Sequence, residues 1–226
     1  MFSNSYQRIS QLMFVILTSL VAAYSVLYQG ASMFFIIYLF WMDEFIRTIF
    51  ELIRVKKFKF LKYKNEHKPI FQQSNQPMTE IKGRFFMLIL YWVFIIVLFG
   101  FVFSFKSKEM FMQNILIMFF KNTWFNISIV IAFLSEFKMF AEDYYRYKNN
   151  DATLEIESTG AFDRNVLVLH LSIIFGALLW AVTHKWIPEF QIHLGAFNDV
   201  VMILPFVIFK LAFELYHFFK TPQISK

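Results

Sequence analysis

The sequence predicts an all-α membrane protein, a polytopic bundle of six transmembrane helices. Of its 226 residues, 58% are apolar and 21% are aromatic, and the mean hydropathy is +0.51. Only 17% are charged, and residues 9–42 contain no charged residue at all. Because a soluble domain needs about a quarter of its residues charged to cover its surface, this composition excludes an ordinary water-soluble protein.

The spans follow from the length of the apolar stretches. A helix needs about 20 mostly apolar residues to cross a hydrocarbon core of about 30 Å. Six stretches of the single domain 1–226 approach this length, and Gln29-Gly30 divides the first two. The stretch 111–120 is too short to cross and is predicted to be an interfacial segment. The predicted transmembrane helices cover about 9–28, 32–53, 85–105, 124–145, 165–183 and 199–219.

Lysine and arginine predict the orientation of the bundle. With six spans and a cytoplasmic N-terminus, fifteen of these residues fall on the cytoplasmic side and four on the other. Positive charge accumulates in cytoplasmic loops, so both termini are predicted to be cytoplasmic. The basic run in 54–64 beside a span favours contact with anionic lipid over nucleic acid. The absence of cysteine excludes disulfides, thiolate metal sites and cysteine nucleophiles.

Ionisable residues inside the predicted spans indicate a polar site. Each costs at least about 2.5 kcal/mol to insert, so such residues usually face protein or water. On the second predicted span, Asp43, Arg47 and Glu51 share one helical face at i, i+4 and i+8. All the candidates fall at similar depth in the cytoplasmic half, which predicts one shared ligand or proton site. Its predicted members are Asp43, Glu44, Arg47, Glu136, His170, Lys210, Glu214 and His217.

A purely structural interpretation stays open beside this one. Asp43 with Arg47, and Lys210 with Glu214, are pairs of opposite charge at i and i+4 that can neutralise each other within a helix.

Metal binding is a further hypothesis. Glu214 and His217 form an E-x-x-H pair, which places a carboxylate and an imidazole on one helical face. Together with His170 they offer ligands for a metal ion, and two histidines at similar depth could hold haem. A di-iron bundle needs a second E-x-x-H motif, and the sequence has none.

Three motifs resemble those of an uncharacterised bacterial integral-membrane family, which is known only as a domain of unknown function. They are F-W-M-D-E at 40–44, L-H-L-S-I-I-F-G at 169–176 and K-L-A-F-E-L-Y-H at 210–217. The resemblance implies a multi-helix bundle in the bacterial inner membrane and draws attention to Asp43, His170, Lys210, Glu214 and His217. That family also carries two histidines eight residues apart in its third helix, where this sequence has Tyr91 and Phe99.

The sequence leaves three functions open. The first is binding or transport of a small ion or polar solute, with the carboxylates titrating and His170 and His217 relaying protons. The second is a metal- or haem-dependent intramembrane enzyme or redox protein. The third is a membrane scaffold that docks a partner on the basic loop 54–84. The predicted partners are the lipid bilayer and a small ion or solute, without nucleic acid, and the oligomeric state stays open.

Overall fold

A computed structural model of the protein describes residues 32–66, 76–102 and 108–149 and isolated positions at 13, 16, 17, 20, 21, 24, 25, 166, 169–171, 173–175 and 212. Apart from residue 32 and the turns near 119–122 and 149, all of these residues are helical, and none lies in a strand. The predicted all-helical class is confirmed. The continuous elements are α1 (Met33–Glu66), α2 (Gln76–Phe94), a π-helical segment (Ile95–Val102), α3 (Lys108–Met118) and α4 (Thr123–Lys148).

Within these residues, two helical stretches are long and apolar enough to cross a membrane. One is Met78–Val102, and the other, Lys108–Lys148, combines α3 and α4. The first eighteen residues of α1 carry Asp43, Glu44 and Arg47, so α1 is less apolar than either stretch. The six-span count remains a prediction.

α1 is the central helix. It is capped by Ser32, whose carbonyl and hydroxyl oxygens both accept from the backbone N–H of Phe35, at 3.0 and 3.4 Å. Every residue from 34 to 41 is buried, and a helix that is buried all round must be surrounded by other elements. α1 continues beyond the predicted span of about 32–53 to Glu66, because lysine and arginine favour a helix even where they end the apolar run.

α2 runs antiparallel to α1. It begins at Gln76, about nine residues before the predicted start at 85, because its polar first turns are amphipathic. Ile81, Arg84 and Leu88, spaced i, i+3 and i+7, are all completely buried. Trp41 of α1 donates its indole N–H to the carbonyl oxygen of Leu88 at 2.7 Å, which fixes the register of the two helices.

The π-helical segment is held by buried polar side chains. Asn114 of α3 donates to the carbonyl oxygen of Phe99 at 3.2 Å and accepts from the Ser32 hydroxyl at 2.6 Å. A Cβ at Gly100 would lie 3.3 Å from the Phe34 ring, so glycine permits this close packing against α1. These contacts join the start of α1 to the end of the π-helical segment.

α3 ends and α4 begins in a tight turn. The N–H of Lys121 bonds to the carbonyl of Leu116, and Phe120 has a positive φ of 57°, the arrangement of a Schellman cap. The Asn122 side chain then accepts from the N–H of Phe125 and caps α4. The turn separates the predicted interfacial segment 111–120, which α3 overlaps, from the predicted span 124–145, which lies within α4.

α4 runs in the same direction as α1. Phe35 packs edge-on against Phe125 near the start of both helices. Phe58 stacks on Tyr147 near the far ends. The predicted helices 9–28, 165–183 and 199–219 are described only at isolated positions, all helical, and Pro205 lies outside the described residues.

Candidate functional site

One face of α1 carries four charged side chains. Glu44, Arg47, Glu51 and Arg54 follow one another at i, i+3, i+7 and i+10, which places them along one side of the helix. They face α2 on one side and α4 on the other. All four take part in ion pairs with side chains from those two helices.

Arg84 of α2 is the most deeply buried charge among the residues that the structure describes. It has an exposed fraction of 0%, although it lies in an otherwise apolar stripe. Its Nη1 donates to Oε2 of Glu51 at 2.9 Å and lies 3.5 Å from Oε1 of Glu44. A buried guanidinium is tolerated only with such compensation, so Arg84 links α2 to two carboxylates of α1.

Glu136 of α4 lies between two arginines of α1. It has an exposed fraction of 4%. Its Oε1 accepts from Nε of Arg47 at 3.3 Å, and Arg47 also lies 3.8 Å from Glu44. Its Oε2 lies 3.7 Å from Nη2 of Arg54 and, although buried, accepts no hydrogen bond.

The ion pairs form a continuous series, which ends where Nε of Arg54 lies 3.1 Å from Oδ2 of Asp143. We call this series the ion-pair network. In order, its members are Glu51, Arg84, Glu44, Arg47, Glu136, Arg54 and Asp143. Carboxylates and guanidiniums alternate along it.

Aromatic side chains enclose the network at both ends. Toward the start of α1, Trp41 stacks on Tyr38 and Phe45. Toward its end, Phe58 stacks on Phe140 and Tyr147. Around the buried members Arg84, Glu44 and Glu136, a low local dielectric strengthens each ion pair and raises the cost of an uncompensated charge.

The structure brings three of the predicted site residues together, namely Glu44, Arg47 and Glu136. Asp43 is only half-buried on α1 beside Glu44. The sequence-based row of Asp43, Arg47 and Glu51 did not include the ion pairs of Arg47 with Glu44 and Glu136.

Sequence reasoning missed Arg54, Arg84 and Asp143 as site residues. Arg54 and Arg84 were assigned to a cytoplasmic loop, although both lie within helices. The sequence does contain a signal for Arg84. Arg84 interrupts the apolar helical periodicity formed by Ile81, Leu88 and Tyr91, and a charge in a buried stripe requires a partner.

His170 contacts a different part of the bundle. Its Nδ1 lies 3.0 Å from the hydroxyl oxygen of Tyr91, and His170 itself is exposed. Tyr91 lies two helical turns beyond Arg84 on α2, about 10 Å along the axis. Tyr91 also occupies one of the two positions at which this sequence departs from the resembled family.

The remaining predicted residues, Lys210, Glu214 and His217, lie outside the described residues. In the part of the chain that the structure describes, no group of three or more histidine, aspartate or glutamate side chains is arranged to hold a metal ion. The metal hypothesis for His170, Glu214 and His217 therefore stays a prediction.

Comparison with known proteins gives one match. A family described as "Family of unknown function (DUF6498)" matches residues 1–224. No curated protein and no solved structure matches the chain. The match confirms that the chain falls in an uncharacterised family, while the membrane character and helix motifs attributed to the resembled family stay predictions.

Proposed function

We propose that this chain, which belongs to the family of unknown function DUF6498, is an integral membrane protein that binds or transports a small cation, the proton included, at Glu136. The proposed architecture has six spans and cytoplasmic termini, in the bacterial inner membrane. The proposal combines the sequence pattern with the buried charges of α1, α2 and α4.

The distribution of side chains supports the membrane location. Large apolar side chains of α2 and α4 are exposed, among them Phe86 at 62% and Phe94 at 55%, while Arg84 and Glu136 are buried. A soluble domain has the opposite arrangement, because exposed apolar surface is unfavourable in water. Lipid is the surrounding in which this surface is stable.

The directions of the helices support the proposed topology. α1 and α4 run parallel, and the stretch that contains α2, which lies between them in the sequence, runs antiparallel to α1, as expected for three successive crossings. The ion-pair network lies in the half of these helices that is nearer to the basic end of α1. With that end cytoplasmic, as the lysine and arginine count predicts, the site opens toward the cytoplasmic side.

Glu136 carries the functional proposal. Its Oε2 is buried and accepts no hydrogen bond, and the nearest guanidinium nitrogen lies 3.7 Å away. A proton or a small cation on Oε2 satisfies its vacant lone pairs.

The other residues have supporting roles in this proposal. Arg47 and Arg54 are the counter-charges that hold Glu136. Glu44 and Asp43 extend the acidic face of α1 beside it. From the sequence alone, His170 and His217 relay protons, and Lys210 and Glu214 form a second charged pair on the sixth span.

The test is cation flux through the full-length protein in lipid vesicles. Imposed gradients of H⁺, Na⁺ and K⁺ would be followed with dyes inside the vesicles. We expect wild-type protein to move at least one of these ions faster than empty vesicles do. Glu136→Gln, which keeps the shape of the side chain, should remove that flux.

The matched control is Glu142→Gln on the same helix. Glu142 lies 3.9 Å from Lys138 and outside the network, so this variant should keep the wild-type flux. The proposal is overturned if wild-type vesicles pass none of the three ions faster than empty ones, or if folded Glu136→Gln protein passes them at the wild-type rate.

A purely structural role for the network is the second candidate function, and the pairing of its charges with one another favours that role. Each of its three arginines has carboxylate partners, and the network ties α2 and α4 to α1. In that case Glu136→Gln changes stability and no flux exists to lose. Elemental analysis and an absorbance spectrum of the same samples test for the metal or haem of the enzyme hypothesis.

A further inference from the structure

The far ends of α1 and α4 form a joined basic surface. Phe58 stacks on Tyr147 with ring centroids 4.8 Å apart, and the Tyr147 hydroxyl donates to the carbonyl oxygen of Phe58. We call residues 54–58 of α1 and 144–148 of α4 the basic arm. Because side-chain stacking and a backbone acceptor hold the two helices together, the arm keeps its lysines at defined positions.

Three exposed lysines belong to this arm, namely Lys56, Lys57 and Lys148. The ammonium nitrogen of Lys57 lies 4.9 Å from the centre of the Tyr144 ring, a cation–π distance. Lys148 follows Tyr144 by one helical turn on the same face of α4. The arm therefore presents cations beside an aromatic ring that carries a hydroxyl.

Two acidic residues of α4 beside the arm, Asp143 and Glu142, have basic partners outside its three lysines. Asp143 lies 3.1 Å from Arg54, and Glu142 lies 3.9 Å from Lys138. The positive charge of the three lysines is thus not offset by these two acids. The complementary partner of these lysines is therefore an anion, carried by a surface that lies next to the basic arm.

The position of the basic arm relative to the hydrocarbon core identifies that surface. The first twenty residues of α1 rise about 30 Å, which is the thickness of the hydrocarbon core, so residues from about 54 onward fall at the headgroups. Phosphate groups of anionic lipids lie at this level, and tyrosine is typical of it.

We propose that the basic arm binds the phosphate groups of anionic lipids through Lys56, Lys57 and Lys148. Tyr144 holds the ammonium group of Lys57 at the headgroup level. The inference rests on the membrane location in the proposed function and is independent of cation transport at Glu136.

The experiment compares the full-length wild-type protein with one triple variant and one double control variant. Each is titrated in detergent with phosphatidylglycerol or phosphatidylcholine. Bound lipids are counted by native mass spectrometry. Wild-type protein should prefer phosphatidylglycerol. The variant Lys56→Gln, Lys57→Gln, Lys148→Gln should lose about fivefold in affinity for each lysine that contacts phosphate.

The control removes two exposed lysines at the other end of the bundle, with Lys108→Gln and Lys121→Gln. It should keep the preference. Equal binding of both lipids by wild-type protein, or an unchanged preference in the triple variant, overturns the inference. Glycerol phosphate added as a soluble competitor separates a membrane lipid from free phosphate, and displacement of the lipid by equimolar competitor would contradict lipid recognition.

Vesicle flotation distinguishes a failure of the lipid-binding inference from a failure of the proposed function. Wild-type protein that does not float with vesicles of either lipid refutes the membrane location, and the lipid inference with it. Protein that floats equally with both, without a preference in mass spectrometry, refutes only the lipid inference.

Discussion

Replacing Arg84 by methionine tests whether the ion-pair network stabilises the bundle. Arg84 has an exposed fraction of 0% and lies 2.9 Å from Glu51 and 3.5 Å from Glu44. Methionine retains most of the apolar volume of the stem but removes the charge. Two buried carboxylates then lose their shared counter-charge.

The magnitude follows from these distances. At an effective dielectric constant of about 20, unit charges at these separations attract by about 5 kcal/mol each. The desolvation of the guanidinium, which methionine avoids, offsets a large part of that attraction. Removing one partner of a buried pair costs about 3 to 5 kcal/mol, which we expect for Arg84→Met. For a chain of this length the Tm should fall by about 6 to 20 °C.

The assay is thermal unfolding of purified protein in detergent, with Lys82→Met as the matched control. Lys82 is exposed on the same helix, so its replacement should leave the Tm nearly unchanged. The double variant Arg84→Met, Glu51→Gln removes one of the two uncompensated carboxylates and should recover part of the loss. A single variant as stable as the control, or a double variant no more stable than the single, would refute the reasoning.

Two further predictions concern the turn after α3 and the topology. Phe120 has a positive φ, which strains a residue with a Cβ, so Phe120→Gly should raise stability by about 1 kcal/mol, whereas Phe119→Gly beside it should lower stability. Thermal unfolding of both variants checks the sign, and a loss with Phe120→Gly would contradict the strain argument. Cysteines introduced at Ser74 and Ser107 should be labelled from outside intact cells only at position 107, and labelling at 74 alone would reverse the proposed orientation.

The helices could be predicted from the sequence because apolar length and periodicity carry that information. The start of α1 at Met33 lies within one residue of the predicted span. The early start of α2 at Gln76 was missed, since charged residues next to an apolar run resemble a loop in a hydropathy argument. Only the packing of the first turns of α2 against α1 distinguishes the two cases.

The pairing of charges could be predicted only in part. Spacing along one helix indicated that Arg47 and Glu51 share a face, but an ion pair between helices depends on their relative rotation. The sequence favoured Asp43 as the partner of Arg47 because i and i+4 positions are adjacent. The structure also shows Glu136, 89 positions away, as a partner of Arg47. Glu136 was identified as a candidate from its depth in the predicted span. Arg84 was missed because the predicted span starts at about residue 85, just after it.

The order of charges along the network separates its structural part from its functional part. Neutralising Glu136 leaves Arg54 paired with Asp143 and Arg47 paired with Glu44. Removing Arg84 instead takes away the guanidinium that Glu51 and Glu44 share. Since an uncompensated buried charge is the expensive outcome, Glu136→Gln should fold almost normally and Arg84→Met should not. A residue whose charge can be removed at little structural cost is also one that can take up and release a proton or a cation without unfolding the protein.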